Sequence, residues 1–379
     1  MHITGIICEY NPLHLGHRKQ LRAVRDAFPE GAAVCIMSGN FVQRGKPAIF
    51  DKMARANAAM QCGADLVLEL PVTAALSSAE GFAAEGVRLL SSFCDSLCFG
   101  SETADAQLLM DTARILLSTD FADALHLALD KGLSFPAARQ EALASLGLRD
   151  DVLTQPNNIL AVEYCKAILT QKSSITPMPI LRQGSYHDLQ ADAENPSATA
   201  VRELLEHDGN WQAYVPAEVH NIFSDAAVHT LAAGERPMLA KLRTMTDAEF
   251  EALPYGSEGL WRKLMHATRQ ETTLEAILTA TKSKRYTRSR LDRMVMCAFL
   301  GLTADQLASP APYARVLALN DKGREVLKLA RTKGTYPNIG EKLEHPYQTL
   351  EDRCDSLYGL FCVDMPDTPQ PEYRIYYQK

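Results

Sequence analysis

Ile3-Thr4-Gly5-Ile6-Ile7-Cys8-Glu9 is the first apolar run of the chain; it breaks at Asn11-Pro12 and gives way to His14-Leu15-Gly16-His17, at the head of a helical pattern running from Leu13 to Ala27. A short, unbroken apolar run of this kind is what a strand buried on both faces needs. The alternation then repeats. Ala32–Ser38 reads as a second strand, followed by a polar loop (Gly39–Pro47) and a helix from Asp51 to Cys62. Ala64–Leu70 is a third strand stopped by Pro71, Ser78–Phe93 a helix, and Ser96–Gly100 a fourth strand. Helices follow to about Leu148 and again over Ile159–Leu169, and a fifth strand begins at Pro179. Buried strands alternating with helices predict an α/β fold with an open, parallel, five-stranded sheet covered on both sides.

After Leu205 the pattern changes. Residues 215–305 are mostly helical by periodicity, with breaks near Pro254 and Ser283, and the strand-like YARVLAL from Tyr313 leads into a helix near Asp321. The expected organisation is therefore a sheet domain over 1–210 and a mainly helical domain over 211–379 that ends in a small α/β element. Neither an internal repeat nor a low-complexity tract interrupts the chain.

With 379 residues, 46% hydrophobic and 22% charged, the chain has the composition of a globular protein of two domains. Met1-His2-Ile3-Thr4 enters the first strand with no basic leader, and no apolar run reaches about 18 residues, so neither secretion nor a membrane span is expected. The nine cysteines lie mostly in apolar segments and read as free thiols of a cytoplasmic protein. Cys94 and Cys98 are the nearest approach to a metal spacing, but no second Cys/His pair matches them. The net charge of −7 argues against a nucleic-acid partner until its distribution is considered. Residues 261–340 hold 15 Lys/Arg against 6 Asp/Glu, a net of +9, which leaves −16 on the rest. A basic face on an acidic protein fits that segregation.

His14-x-Gly-His17 stands where the first strand hands over to the first helix. In an open parallel sheet, ligands bind beyond the carboxyl ends of strands, and unpaired N–H groups at a helix start attract phosphate. Gly16 offers no side chain, so a nucleotide can lie against the backbone. Two imidazoles facing that crevice can donate N–H bonds to a reacting α-phosphate, each worth roughly 3 kcal/mol by analogy with oxyanion holes. A zinc site is disfavoured, because the third ligand would have to come from Glu9, on the strand before the turn. As plain turn and cap residues, the two histidines need no function at all.

The blocks around this motif are more specific. GIICEYNPLHLGH (5–17), MSGNFVQRGKPAIFDKMARANAAMQCGADLVLELP (37–71), CDSLCFGSE (94–102), PNNILAVEY (156–164), ILRQGSYHD (180–188) and SATAVR (197–202) follow one another in order. Together they resemble the tRNA(Met) cytidine acetate ligase family of the nucleotidyltransferase superfamily. KSKRYTRSRLDRM (282–294) and YARVLALNDKGREVL (313–327) extend the resemblance over most of the chain. It implies a nucleotidyltransferase-like (HUP/Rossmann-like) catalytic domain over 1–210 and a tRNA-binding domain over 211–379. ATP and acetate would give acetyl-adenylate and pyrophosphate, and the acetyl group would pass to N4 of the wobble cytidine of elongator tRNA(Met). Mg²⁺ is expected with the triphosphate. Neither a membrane nor an obligate protein partner is expected.

By the same resemblance, His14 and His17 are catalytic, and ATP is bound by the segment Ile7, Cys8, Glu9, Tyr10, Asn11, Pro12, Leu13, His14, Leu15, Gly16, His17, Arg18, Lys19 and Gln20, together with Gly100, Asn157 or Asn158, and Arg182. Ser197, Thr199 and Arg202 stand where related enzymes hold phosphates at a Ser/Thr-rich helix start, although Ala198 replaces a hydroxyl of that wider pattern. Arg44, Lys46, Lys52 and Arg55 could hold pyrophosphate, approach tRNA or simply form a solvated face; Asp51 could cap their helix. Lys282, Lys284, Arg285, Arg288, Arg290 and Arg293, with Tyr286 among them, are the expected RNA contacts, since cations at this density bind phosphate backbones and an aromatic can stack on a base. Two other readings stay open. One is a small-molecule nucleotidyltransferase that passes AMP to a phosphorylated acceptor; the other is an RNA-binding protein with a relic nucleotide site.

Overall fold

The computed structural model describes residues 1–379 except 134, 148–151, 183–195, 208, 284, 333, 335, 338–344, 365–374 and 379. Among the described residues nine strands are present: β1 (Ile3–Cys8), β2 (Ala32–Ser38), β3 (Phe41–Val42), β4 (Lys46–Pro47), β5 (Leu66–Leu70), β6 (Ser96–Ser101), β7 (Thr176–Leu181), β8 (Val316–Leu319) and β9 (Tyr376–Tyr377). Seven of them form one sheet in the order β7-β6-β1-β2-β5-β8-β9. The five expected strands are its parallel part. Their apolar runs are continuous because both faces are covered: Ile6, Cys8, Cys35 and Met37 enter one core, Ile3, Ile7, Val34 and Ile36 the other. β7 begins at Thr176, ahead of the expected Pro179, and carries Pro177 and Pro179 at the sheet edge, where a missing N–H costs no ladder bond.

The strand count is corrected from five to seven. The YARVLAL segment forms β8, which pairs antiparallel with β5, and β9 pairs with β8. β8 is buried throughout and covers what would otherwise be an open apolar edge of β5. The expected C-terminal α/β element is thus part of the same sheet, and it crosses the division drawn at residue 210.

The helical part has its own core, built from residues such as Phe250, Leu264, Ile277, Met294 and Phe361, and it also takes in Phe41, Val72 and Leu76 from the first half. A buried ionic cluster joins the two halves. Lys52 Nζ lies 2.8 Å from Glu69 and 2.6 Å from Asp355, and Arg315 reaches Glu69 at 2.9 Å and Asp355 at 3.1 Å. Burial alone would raise the Glu69 carboxyl, but Arg315 and Lys52 hold it down to about 2. Lys52 therefore belongs to this cluster rather than to a solvated face.

All nine cysteines are free and buried. Among the described residues, no helix is long and apolar enough to cross a membrane.

Candidate active site

β1 continues to β2 and β5 on one side, while β6 lies on its other side, so strand order reverses between β1 and β6. The crevice beyond the carboxyl ends of these two strands is the place where such sheets bind ligands. Helix α1 (Leu15–Ala27) starts there, and Gln20 Nε2 donates to the Cys98 carbonyl of β6 at 3.2 Å.

His14 caps α1. Its Nδ1 accepts the Gly16 N–H at 3.1 Å, and His17 Nδ1 accepts the His14 N–H at 3.3 Å, a reciprocal capping box made of two imidazoles. A ring nitrogen that accepts an N–H carries no proton, so each neutral ring holds its proton on Nε2. The rings stack with centroids 3.7 Å apart. His14 is 3% exposed, and its Nε2 is buried with no hydrogen-bond partner among the described residues. Burial lowers both pKa values. His14 falls well below the usual imidazole range, with His17, Arg182 and Arg202 adding to the effect; His17 is pushed down to about 3, with Arg182 contributing.

The pair is thus neutral near pH 7, a set of N–H donors within the electrostatic reach of two guanidinium groups. In ¹⁵N-histidine spectra both rings are expected to stay neutral, as Nε2–H tautomers, as the pH falls well below the usual imidazole range. Protonation of either near pH 6.5 would contradict the arrangement. The unfolded chain takes up these two protons below about pH 6.5 and the folded one does not. The stability they contribute is therefore present above pH 6.5 and is lost as the pH falls from there.

Four donors from three other segments hold the turn before His14. Arg55, on helix α2 (Lys52–Gln61), donates from NH1 to the Glu9 carbonyl at 2.6 Å. Gln43 N–H donates to the Glu9 carboxylate at 2.6 Å, and Ile49 N–H to Asn11 Oδ1 at 2.8 Å. Arg202 NH1 donates to the Asn11 carbonyl at 2.5 Å. The Asn11-Pro12 peptide is cis, and Tyr10 takes a positive φ of 45°. Arg55 is 0% exposed and also donates to the carbonyls of Phe50 (2.9 Å), Ser38 (3.0 Å) and Gly39. It is an internal brace and offers no solvated charge. Asp51 caps α2, accepting from Met53 N and Ala54 N.

The remaining candidates divide by position. The side chains of Ile7, Cys8, Tyr10 and Leu13 pack into the cores, and Pro12 is buried. Arg18 forms a two-pronged pair with Glu218. Gly16 is required by the cap as well: an added Cβ would stand 2.9 Å from His14 Cε1. Beside Gly100 the nearest protein atom to an added Cβ is Arg182 Cδ at 3.9 Å, which leaves that face of β6 open toward Arg182. Arg182 NH1 donates to Asn157 Oδ1 at 3.1 Å, and Asn157 Nδ2 donates to Glu102 at 2.6 Å. Asn158 is buried, and its amide is committed to Ser101 and Thr103. Ser197 caps the helix Ala198–Glu206 through Ala200 N, while Thr199 Oγ1 accepts from Arg202.

The structure disperses the expected basic run. Lys284 lies outside the described residues. Lys282 is exposed, and Arg285 pairs with Glu258 at the surface. Arg288 is held by Glu275 at 2.6 Å and Asp292 at 2.9 Å. Arg290 donates to the Tyr255 carbonyl and Ser257, and it lies over the Tyr286 ring. Arg293 is 8% exposed and reaches the Gln43 carbonyl of the β3–β4 turn at 3.4 Å. At that turn Gly45 has φ 72°, and an added Cβ would overlap the Asp292–Arg293 backbone. Spacing in the sequence could not separate these roles, because the acids and carbonyls that pair with the arginines come from other segments.

Residues 1–366 match the family model of the HIGH nucleotidyl transferases. The chain is 37% identical over 397 aligned residues to tRNA(Met) cytidine acetate ligase of Clostridium acetobutylicum, with 98% of each covered. It is 38% identical over 384 aligned residues to the enzyme of the same name from Clostridium novyi, with 96% of each covered. Its fold superposes on that of Thermotoga maritima TmcAL bound with alpha-thio ATP with a TM-score of 0.86 at 29% identity, and on the apo form of that protein with a TM-score of 0.88, both over 100% of each chain.

Proposed function

We infer the function from one premise: the chain belongs to the tRNA(Met) cytidine acetate ligase family, within the HIGH nucleotidyl transferases. It is an ATP-dependent ligase that acetylates a cytidine of tRNA(Met). In the first step an acetate oxygen attacks the α-phosphate in line, a P–O bond to it forms, and pyrophosphate leaves. Acetate is already ionised at neutral pH, so this step needs alignment and charge neutralisation more than a general base. In the second step N4 of the wobble cytidine attacks the acetyl carbonyl; AMP leaves with the bonding electrons, and N4 gives up a proton.

The single observation that carries this reading is the buried Nε2 of His14, unpartnered among the described residues, on a ring stacked beside His17 at the strand-order reversal. With both rings neutral, their Nε2–H groups donate to α-phosphate oxygens as charge builds in the transition state. Arg182 and Arg202 supply positive charge nearby. The Ser197-capped helix adds an anion-attracting terminus. Gly100 leaves the adenosine room beside β6. Mg²⁺ is expected to accompany ATP and would neutralise charge on the triphosphate. Lys282 keeps a place on the tRNA surface, and a tRNA substrate puts the reaction in the cytoplasm.

The test is exchange of labelled pyrophosphate into ATP, without tRNA present. Exchange that depends on acetate supports the first step. Exchange that appears only with a phosphorylated small molecule would favour the nucleotidyltransferase alternative.

A further inference from the structure

We propose that the helix Leu260–Gln270, together with Lys282, is the track that receives the tRNA phosphate backbone. The inference rests on the ligase reading for its partner and on the following geometry for its place. Leu260, Leu264, Met265, Ala267 and Thr268 turn one face of this helix into the helical core. The opposite face carries Arg262, Lys263, His266 and Arg269, all exposed, and there is no carboxylate anywhere in the helix. Residues 262, 266 and 269 follow the i, i+4, i+7 spacing of a single stripe.

Lys263 Nζ donates to the Lys282 carbonyl at 2.9 Å, which brings the exposed Lys282 alongside the stripe. The Arg262 guanidinium lies 4.8 Å from the centroid of the Trp261 ring. Among the described residues, Arg262, Lys263, His266 and Lys282 form no ion pair with a carboxylate, whereas Arg269 pairs with Asp247. The contrast with Arg285, Arg288, Arg290 and Arg293 is in availability, since those four are tied to acids and carbonyls of the protein itself. Cations without a carboxylate partner exchange condensed counterions for phosphates without breaking an ion pair. The partner these observations fit is therefore a polyanionic backbone. Lys282 precedes by a few residues the helix Arg288–Leu300, whose Asp292–Arg293 backbone packs on the β3–β4 turn held by Glu9.

The test is tRNA affinity measured from low to high salt for the wild-type chain, for R262A/K263A/K282A and for R285A/R288A, with melting curves to confirm that each variant is folded. The first variant is expected to lose at least about tenfold in affinity near 0.15 M salt and to flatten the salt slope by about 2 to 3. The second is expected to lose no more than about threefold. An unchanged slope in the first variant, or a larger loss in the second, would overturn the track while leaving the ligase reading standing. A wild-type chain with no affinity for tRNA would overturn both.

Discussion

Replacing either His14 or His17 by alanine is expected to reduce acetate-dependent pyrophosphate exchange by about 100- to 1,000-fold, the usual loss for one preorganised donor at a site of developing charge. The losses should not add. The rings stack 3.7 Å apart, and each is positioned by the other's backbone or ring nitrogen, so the double variant should fall little further than either single one. His14→Ala also removes the cap of α1, at about 1 kcal/mol, which a 379-residue chain with three cores survives. A folded His14→Ala protein that kept wild-type exchange would remove the pair from the chemistry.

Arg55→Met is expected to give the largest loss of stability of any substitution near the site. The side chain is fully buried and donates to four main-chain carbonyls, those of Phe50, Glu9, Ser38 and Gly39. Two of these carbonyls close β1 and β2 at the crevice. Methionine fills much of the volume but leaves the carbonyls without donors, at about 1 to 3 kcal/mol each before any relaxation. A net cost of about 4 kcal/mol, seen as a melting temperature roughly 5 °C lower, is the expected result by calorimetry. Arg55→Lys should recover less than half of this, because a single ammonium cannot span acceptors spread around a planar fork. Exchange activity should fall with stability, since the Glu9 carbonyl loses the guanidinium that braces the histidine turn. A change within about 1 kcal/mol would mean that other donors replace the guanidinium.

The parallel part of the sheet was readable because strands buried on both faces need unbroken apolar runs, and β1, β2, β5 and β6 have them. The His14–His17 crossover was readable for the same reason: a strand, a turn and a helix follow one another within a few residues. Periodicity also finds β8 as a strand, but it carries no address, and its partner β5 is about 250 residues away in the chain. Charge was the least readable feature. Lys52 and Arg55 sit in a sequence that suits a solvated helix, yet one is locked between Glu69 and Asp355 and the other among carbonyls. Arg288 and Arg293 look like RNA contacts until Glu275 and the Gln43 carbonyl come to meet them. The tautomers of the two histidines likewise follow from hydrogen bonds that exist only once the helix cap has formed.

The central claim, that acetate attacks the α-phosphate of ATP at the histidine pair, is tested most directly with acetate labelled with ¹⁸O in both oxygens, incubated with ATP, the protein and tRNA. Attack at the α-phosphate leaves one acetate oxygen on phosphorus, so the released AMP should carry one ¹⁸O while pyrophosphate carries none, and the digested tRNA should contain N4-acetylcytidine. The ¹⁸O should vanish from AMP in the His14→Ala, His17→Ala protein. Label in orthophosphate or pyrophosphate, with unlabelled AMP, would place the attack on another phosphorus and contradict the claim.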